Sequence, residues 1–235
     1  MPKIRNLVDV LQDFPDFKPG WNPIKAALPD GTERVIGLEN TRYGRKEIVV
    51  VCGDDGKPMY DRPQITSGAA RVDGTYPITS GANIVPFFKK EEEIYVGLLE
   101  VIRPLVIDPL TLQQGNYLTL EIPRGFGDLG ENPNESALRE LGEETGKIAR
   151  KLYHIGRENP DTASFVTSGV NVYAAELDPV IGDSPHTDTK ELVLRCHYNP
   201  YPEVRRKIAN GEIYCGKTLS GLMLFDIFLE REGLR

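Results

Sequence analysis

One run of 23 residues, Gly125 to Lys147, constrains this chain more than anything else in it. It reads GFGDLGENPNESALRELGEETGK: a glycine-rich turn, a proline, then a carboxylate-rich stretch closed by a glycine. The pattern predicts a short helix. Asn132 suits the N-cap, Pro133 the first helical position, and Glu135 stands where a capping box needs its acid. Gly146 is placed to end the helix. At about 100° per residue, Glu140 and Glu144 share one face with Glu143 beside them. Leu138, Leu141 and Thr145 fall on the other side. Arg139 lies i,i+4 from both Glu135 and Glu143, so it can hold Glu143 in place.

Like charges at i,i+4 cost a helix roughly 0.2–0.5 kcal/mol per pair. A chain with no use for a cation has little reason to concentrate acid this way. Oxygen ligands without cysteine or histidine suit Mg²⁺ or Mn²⁺ better than Zn²⁺. Mg²⁺ is commonly shared between carboxylates and substrate phosphates. The glycine turn lets backbone approach such a phosphate. Together these features point to metal-assisted attack of water on a phosphoanhydride. The contrary reading is a solvated acidic helix face, as most charge runs are.

The spacing decides between them. The run resembles the Nudix box, G-x5-E-x7-R-E-U-x-E-E-x-G-U with U aliphatic. Gly125, Glu131, Arg139, Glu140, Leu141, Glu143, Glu144 and Gly146 all match. Seven fixed positions coincide by chance with probability on the order of 10⁻⁸ per starting point. Lys147 departs from the pattern, standing where an aliphatic residue is usual.

The chain has 235 residues, enough for one large or two small domains. Its net charge of −7 gives no sequence-wide basic field for nucleic acid or anionic membrane, and neither partner is expected. Cys52, Cys196 and Cys215 form no CxxC pair and suggest a reducing, cytoplasmic setting. No segment has signal-peptide or membrane-span character. His154, His186 and His197 share no ligand spacing and read as structural or exposed.

Residues 1–78 are rich in turn signals between short β-like runs at 34–38, 47–52 and 69–72, with 54–58 as a hairpin loop. They predict a small antiparallel β region. From residue 79 onward strands and helices alternate: strands at 83–88, 94–99, 117–122, 152–156, 170–177 and 192–195, helices at 202–210 and 217–230. The last helix, apolar at eight of eleven positions from Leu219 to Leu229, reads as buried. This is an α/β pattern with a mixed sheet. The resemblance implies the Nudix-type α/β/α sandwich over roughly residues 80–230.

The flanks are similar to a narrower branch, the hydrolases of ADP-ribose and nucleoside diphosphate sugars. That branch has an Arg-Pro pair before the box, here Arg103-Pro104, and a Glu-x-Pro-x-Gly entry, here Glu121 to Gly125. It has a proline after the box comparable to Pro160, and a last helix introduced by a stretch like Asn210-Gly-Glu-Ile-Tyr-Cys-Gly-Lys217-Thr218-Leu219. Arg124 departs, standing where small residues are usual, and 106–114 looks like an insertion.

The resemblance implies an Mg²⁺-dependent hydrolase, with Mn²⁺ as substitute, acting on ADP-ribose or an ADP-sugar. Glu140 and Glu144 would hold metal, Glu143 would be a further ligand or the base, and the carbonyl of Arg124 could complete the shell. Arg139 would orient a glutamate. Arg103 and the Arg124 side chain are candidates for a phosphate, and Phe126 for a base stack. Trp21, Tyr43 and Phe87 are further aromatics, all four weighing more as packing than as stacking platforms. Branch members often draw a general base from a mobile loop; here 182–190 would carry Glu191, with Asp188 second. Residues 1–78 would supply a homodimer contact. Other readings are a non-catalytic nucleotide sensor, or a hydrolase of a dinucleotide such as NADH, a dinucleoside polyphosphate or a phosphosugar.

Overall fold

The computed structural model describes residues 3–18, 25–27, 33–35, 38–41, 44–67, 81–107, 114–128, 130–158, 170–179, 184–185 and 193–234. They fall into two compact units, divided after residue 79. The expected run at 69–72 lies outside the described residues, as do Trp21, Tyr43, Pro160, His186, Asp188 and Glu191.

In the first unit, β1 (Lys3–Asn6) leads into α1 (Leu7–Asp13); β2 (Lys25–Ala27) pairs β3 (Glu33–Val35); then come β4 (Leu38–Thr41), β5 (Gly44–Cys52) and β6 (Pro58–Ser67). The 44–47 half of β5 pairs β4 and its 49–52 half pairs β1, while β6 runs antiparallel along the other edge. Leu7, Val10, Ile48, Val50 and Cys52 form a small core of their own. The 54–58 loop is the expected hairpin, closed by Gly53 N–H to Lys57 O at 2.9 Å, with Gly56 at φ 79°. Neither α1 nor β6 is predicted from the sequence. β6 holds Pro58 and Pro63, which argue against a central strand; its one partner among the described residues is β5, and an edge tolerates proline.

The second unit is an α/β/α sandwich on a mixed sheet. Its elements are β7 (Gly81–Lys90), β8 (Glu93–Ile107), β9 (Gln114–Glu121), β10 (Arg124–Gly125), α2 (Pro133–Thr145), β11 (Lys151–Glu158), β12 (Val170–Glu176), β13 (Ser184–Pro185), β14 (Val193–Pro200), α3 (Tyr201–Ala209) and α4 (Gly216–Arg231). The main path is β11-β12-β7-β8-β14-β13, with β7 and β12 parallel and the other pairs antiparallel. β7 and β8 pair only from Phe87 with Val96 to Lys90 with Glu93. Beyond that they diverge. β9 follows β8, and β10 crosses to β7 with Arg124 opposite Asn83 and Gly125 opposite Ala82. This split admits Pro86 to a central strand. Ile84 N–H bonds Pro123 O toward β10 and Phe87 O accepts from Leu177, so Pro86 aims its nitrogen at the gap where β7 changes partners.

Alternation along β7 builds both cores. Ala82, Ile84 and Phe88 pack with Ala137 and Leu141 of α2 and with Tyr173 and Ala175. Val85 and Phe87 face Tyr201 and Val204 of α3 and Leu222, Phe225 and Phe228 of α4. Two expectations are corrected. Leu138 is exposed: the buried stripe of α2 runs through Ala137, Leu141 and Thr145, and Leu138 lies off its edge. The last helix is buried on one side only, with Met223 and Ile227 exposed one turn apart on its outer side.

Candidate active site

The capping box of α2 forms as its residues predict. The Asn132 side chain accepts from Asn134 and Glu135 N–H, and the Glu135 carboxylate accepts from Asn132 N–H at 2.9 Å. Gly146 ends the helix at φ 65°. Glu135 is therefore committed to the cap, and Arg139 turns elsewhere.

Arg139 ties the glycine turn to the acidic face. It donates to Glu131 at 2.8 and 3.1 Å, to Glu140 at 2.8 Å, to Glu143 at 2.9 Å and to the Phe126 carbonyl at 2.8 Å. The Glu131 hydrogen bond leads in raising the guanidinium pKa, so it stays charged. Glu131 in turn accepts from Asp128 N–H at 2.7 Å, and the Arg139 hydrogen bond holds its carboxyl below the usual range.

The glycine turn is fitted to Glu140. A Cβ at Gly125 would land on the Glu140 carboxylate, so a larger residue would push that carboxylate from its place over β10. Glu144, 4% exposed, accepts from Arg124 N–H at 2.8 Å. Glu143 is the exposed acid of the three. The sequence places all three on one open face; the structure instead buries Glu144 against β10, because β10 lies across that side of α2. Among the described residues no three acidic, histidine or cysteine side chains already converge as a metal cage. The donor set still fits a hard cation that keeps water and shares substrate oxygens. Glu140 and Glu144, one turn apart, flank the backbone at Arg124 and Gly125.

A second constellation lies beside it. Glu121, 3% exposed, ends β9 on the same side of the sheet as Leu99 and Val101. It accepts two bonds from Arg103, at 2.9 and 2.6 Å, one from Arg124 at 2.8 Å and one from Thr119 at 2.7 Å. Burial pushes its carboxyl up, but Arg103, Arg124 and Thr119 outweigh it and the pKa falls below the usual carboxylate value. The sequence offers Arg103 and Arg124 as separate candidates; only tertiary pairing shows that they meet on one acid. Phe126 is 56% exposed at the turn, whereas Phe87 is core, so the packing reading fits Phe87 and fails for Phe126.

The strand entering the turn is held from three sides. Ile122 N–H donates to Thr218 Oγ1 of α4 at 3.1 Å, Pro123 O accepts from Ile84, and Arg124 N–H reaches Glu144. Gly221 lets α4 approach: a Cβ there would stand 2.5 Å from Ile122 Cδ1. Thr218 carries no role of its own in the sequence; it stands there only within the branch-like stretch that introduces the apolar last helix.

Residues 105–213 match the protein-family profile described as the NUDIX domain. Over that span the chain is similar to the NUDIX family. An ADP-ribose pyrophosphatase of Bacillus subtilis (strain 168) is 34% identical over 113 residues, 46% of this chain and 57% of that protein, so the chain spans little more than half of that relative's length. The crystal structure of an ADP compounds hydrolase aligns with a TM-score of 0.56 at 18% identity, covering 85% of this chain and 95% of that one. At that identity the likeness speaks for the fold alone. The helix of the Nudix-like box is α2, and the glycine that opens the box is the one lying under Glu140.

Proposed function

We propose that this Nudix protein hydrolyses a nucleoside diphosphate linked to a second moiety, with ADP-ribose or an ADP-sugar as substrate. The observation that carries the reading is the docking of the acidic helix on the glycine turn: Glu140 over Gly125 and Glu144 on the Arg124 amide. Glu140 and Glu144 would hold Mg²⁺, or Mn²⁺ in its place, with Glu143 as a further ligand and the Arg124 carbonyl completing the shell. A divalent cation there supplies Lewis acidity to the diphosphate and lowers the pKa of the attacking water.

The chain's own residues do the rest. Arg139 fixes Glu140 and Glu143 against the turn and keeps their carboxylates in register. Arg103 and Arg124 present cationic donors for phosphate oxygens. Phe126 offers an exposed ring beside them for a base or sugar face. Glu143, exposed and one turn from Arg139, is the described candidate for taking the water's proton; Glu191 is the candidate from the sequence. The resemblance to the ADP-ribose branch supports the substrate choice, and the Bacillus subtilis relative, an ADP-ribose pyrophosphatase, points the same way.

The three cysteines are free, in keeping with a reducing, cytoplasmic setting, and no helix among the described residues is long and apolar enough to cross a membrane. We place a homodimer contact in residues 1–78. The test is a panel of ADP-ribose, ADP-sugars, NADH and dinucleoside polyphosphates, assayed with Mg²⁺ or Mn²⁺. Turnover led by ADP-ribose or an ADP-sugar is expected. Binding of these compounds without turnover would replace the enzyme by a nucleotide-sensing module.

A further inference from the structure

We propose that Glu158 and Lys217 form a hydroxyl-binding subsite for the sugar beyond the diphosphate. The inference rests on the proposed function and names what its second moiety must offer: a free hydroxyl group. Glu158 ends β11, and Lys217 lies in the first turn of α4. Glu158 Oε2 accepts from Asn83 Nδ2 of β7 and from Ser220 Oγ of α4, each at 2.8 Å. Two donors from separate elements hold the carboxylate in one place. Among the described residues Oε1 accepts no hydrogen bond, yet it is not shut away from solvent. Lys217 Nζ stands 3.6 Å from it, an ion pair just beyond hydrogen-bond length.

Bridging β7 to α4 does not call for this arrangement. A glutamine would take both bonds on one neutral oxygen. The chain instead keeps a charge, a free acceptor oxygen and a cation set apart from it. A hydroxyl group fits between them: it donates its proton to the carboxylate oxygen and accepts from the ammonium. Both side chains reach solvent, at 13% and 32% exposure. The acceptor is in place before a ligand arrives, so little ordering remains to be done on binding. The carboxylate would repel a phosphate, and the lysine would repel an amine. Neighbouring hydroxyls of a sugar suit both.

The subsite lies at the end of the sheet where the glycine turn begins. Val170 stands opposite Glu158 on one side and Gly81 on the other. Gly81 in turn backs onto the Gly125 carbonyl, which a Cβ there would meet at 2.9 Å. Asn83, which holds Glu158, is paired with Arg124 across one strand spacing of about 4.8 Å. A moiety carried on a diphosphate at that turn comes within reach of the carboxylate.

The test compares ADP-ribose with the β-methyl ester of ADP, whose second moiety has no hydroxyl. Each is titrated calorimetrically into the full chain in chelator, for wild type, Glu158→Gln and Lys217→Met. Wild type should bind ADP-ribose more tightly than the methyl ester. Both variants should weaken ADP-ribose by about tenfold or more, as loss of a hydrogen bond to a charged group does. Both should bind the methyl ester within twofold of wild type. Glu158→Gln keeps an acceptor for Asn83 and Ser220, so it should melt near wild type. If it melts early, Lys217→Met, altered at a part-exposed side chain, decides alone. Equal affinity of wild type for the two esters would overturn the subsite. So would equal losses on both esters, which belong to the shared ADP or to the fold. ADP-ribose binding by Lys217→Met within twofold of wild type would overturn it as well. The parent reading fails separately, when wild type with Mg²⁺ turns over no ADP-linked compound; the subsite fails when turnover is present and the variants do not tell the two esters apart.

Discussion

At the scale of single residues, the acidic face is where sequence and structure agree in composition and differ in arrangement. Spacing alone brings Glu140, Glu143 and Glu144 together on α2. It does not reveal that Glu144 is buried against the Arg124 amide, because that depends on where β10 lies. Glu144→Gln keeps an acceptor for this amide, so the fold should hold, with a stability change within about 1 kcal/mol. Removing the charge should lower turnover by about 100-fold or more and weaken Mn²⁺ binding in parallel. Turnover of Glu144→Gln near wild type at saturating Mg²⁺ would exclude this glutamate as a ligand. Glu121 and Glu131 give a second prediction at this scale. Both have folded pKa values below those of the unfolded chain, near 4.3 for a glutamate. Their contribution is present above that value and is lost as pH falls through the lower folded values. The urea midpoint should therefore drop below about pH 4, and Glu121→Gln should flatten the drop; equal pH profiles for the two proteins would contradict the assignment.

At the scale of elements, the acidic helix α2 was legible because its signals are local. Cap, first-turn proline, box acid and terminal glycine lie within one run of sequence, and the structure reproduces each. What was not legible depends on partners distant in sequence. Pro86 lies inside β7 because β7 exchanges β10 for β8 at that point. Leu138 is exposed while Ala137 is buried because the angle of docking, and not hydrophobicity, sets the buried stripe. Thr218 belongs to the same class: 96 residues separate it from Ile122, whose amide it accepts. Thr218→Val is near in shape and leaves that buried N–H without its acceptor, at a cost of about 1–3 kcal/mol. Since Ile122 leads directly into Pro123 and Arg124, the loosened strand should raise the Mn²⁺ concentration needed for half-saturation. Thr218→Ser should restore it. If Thr218→Val loses stability but titrates Mn²⁺ like wild type, α4 supports the fold without tuning the site.

At the scale of the whole molecule, the two units differ in how much core each has. The second unit buries its two larger clusters on opposite faces of an eight-stranded sheet, with a smaller third around Leu99 and Cys196. The described core of the first is five fully buried residues, with Leu11, Phe14 and Phe17 packed against them. Small units bury too little of their surface to be robust alone and commonly gain stability by oligomerising. Symmetric pairs are the commonest form of such assembly. Residues 1–78 are therefore the part of the chain with most to gain from a second copy. The full chain should sediment as a dimer at micromolar concentration. If folding and association are linked, its urea midpoint should also rise with protein concentration, by mass action. A monomer in the centrifuge at micromolar concentration, with a midpoint independent of concentration, would remove the dimer and leave the first unit stabilised within its own chain.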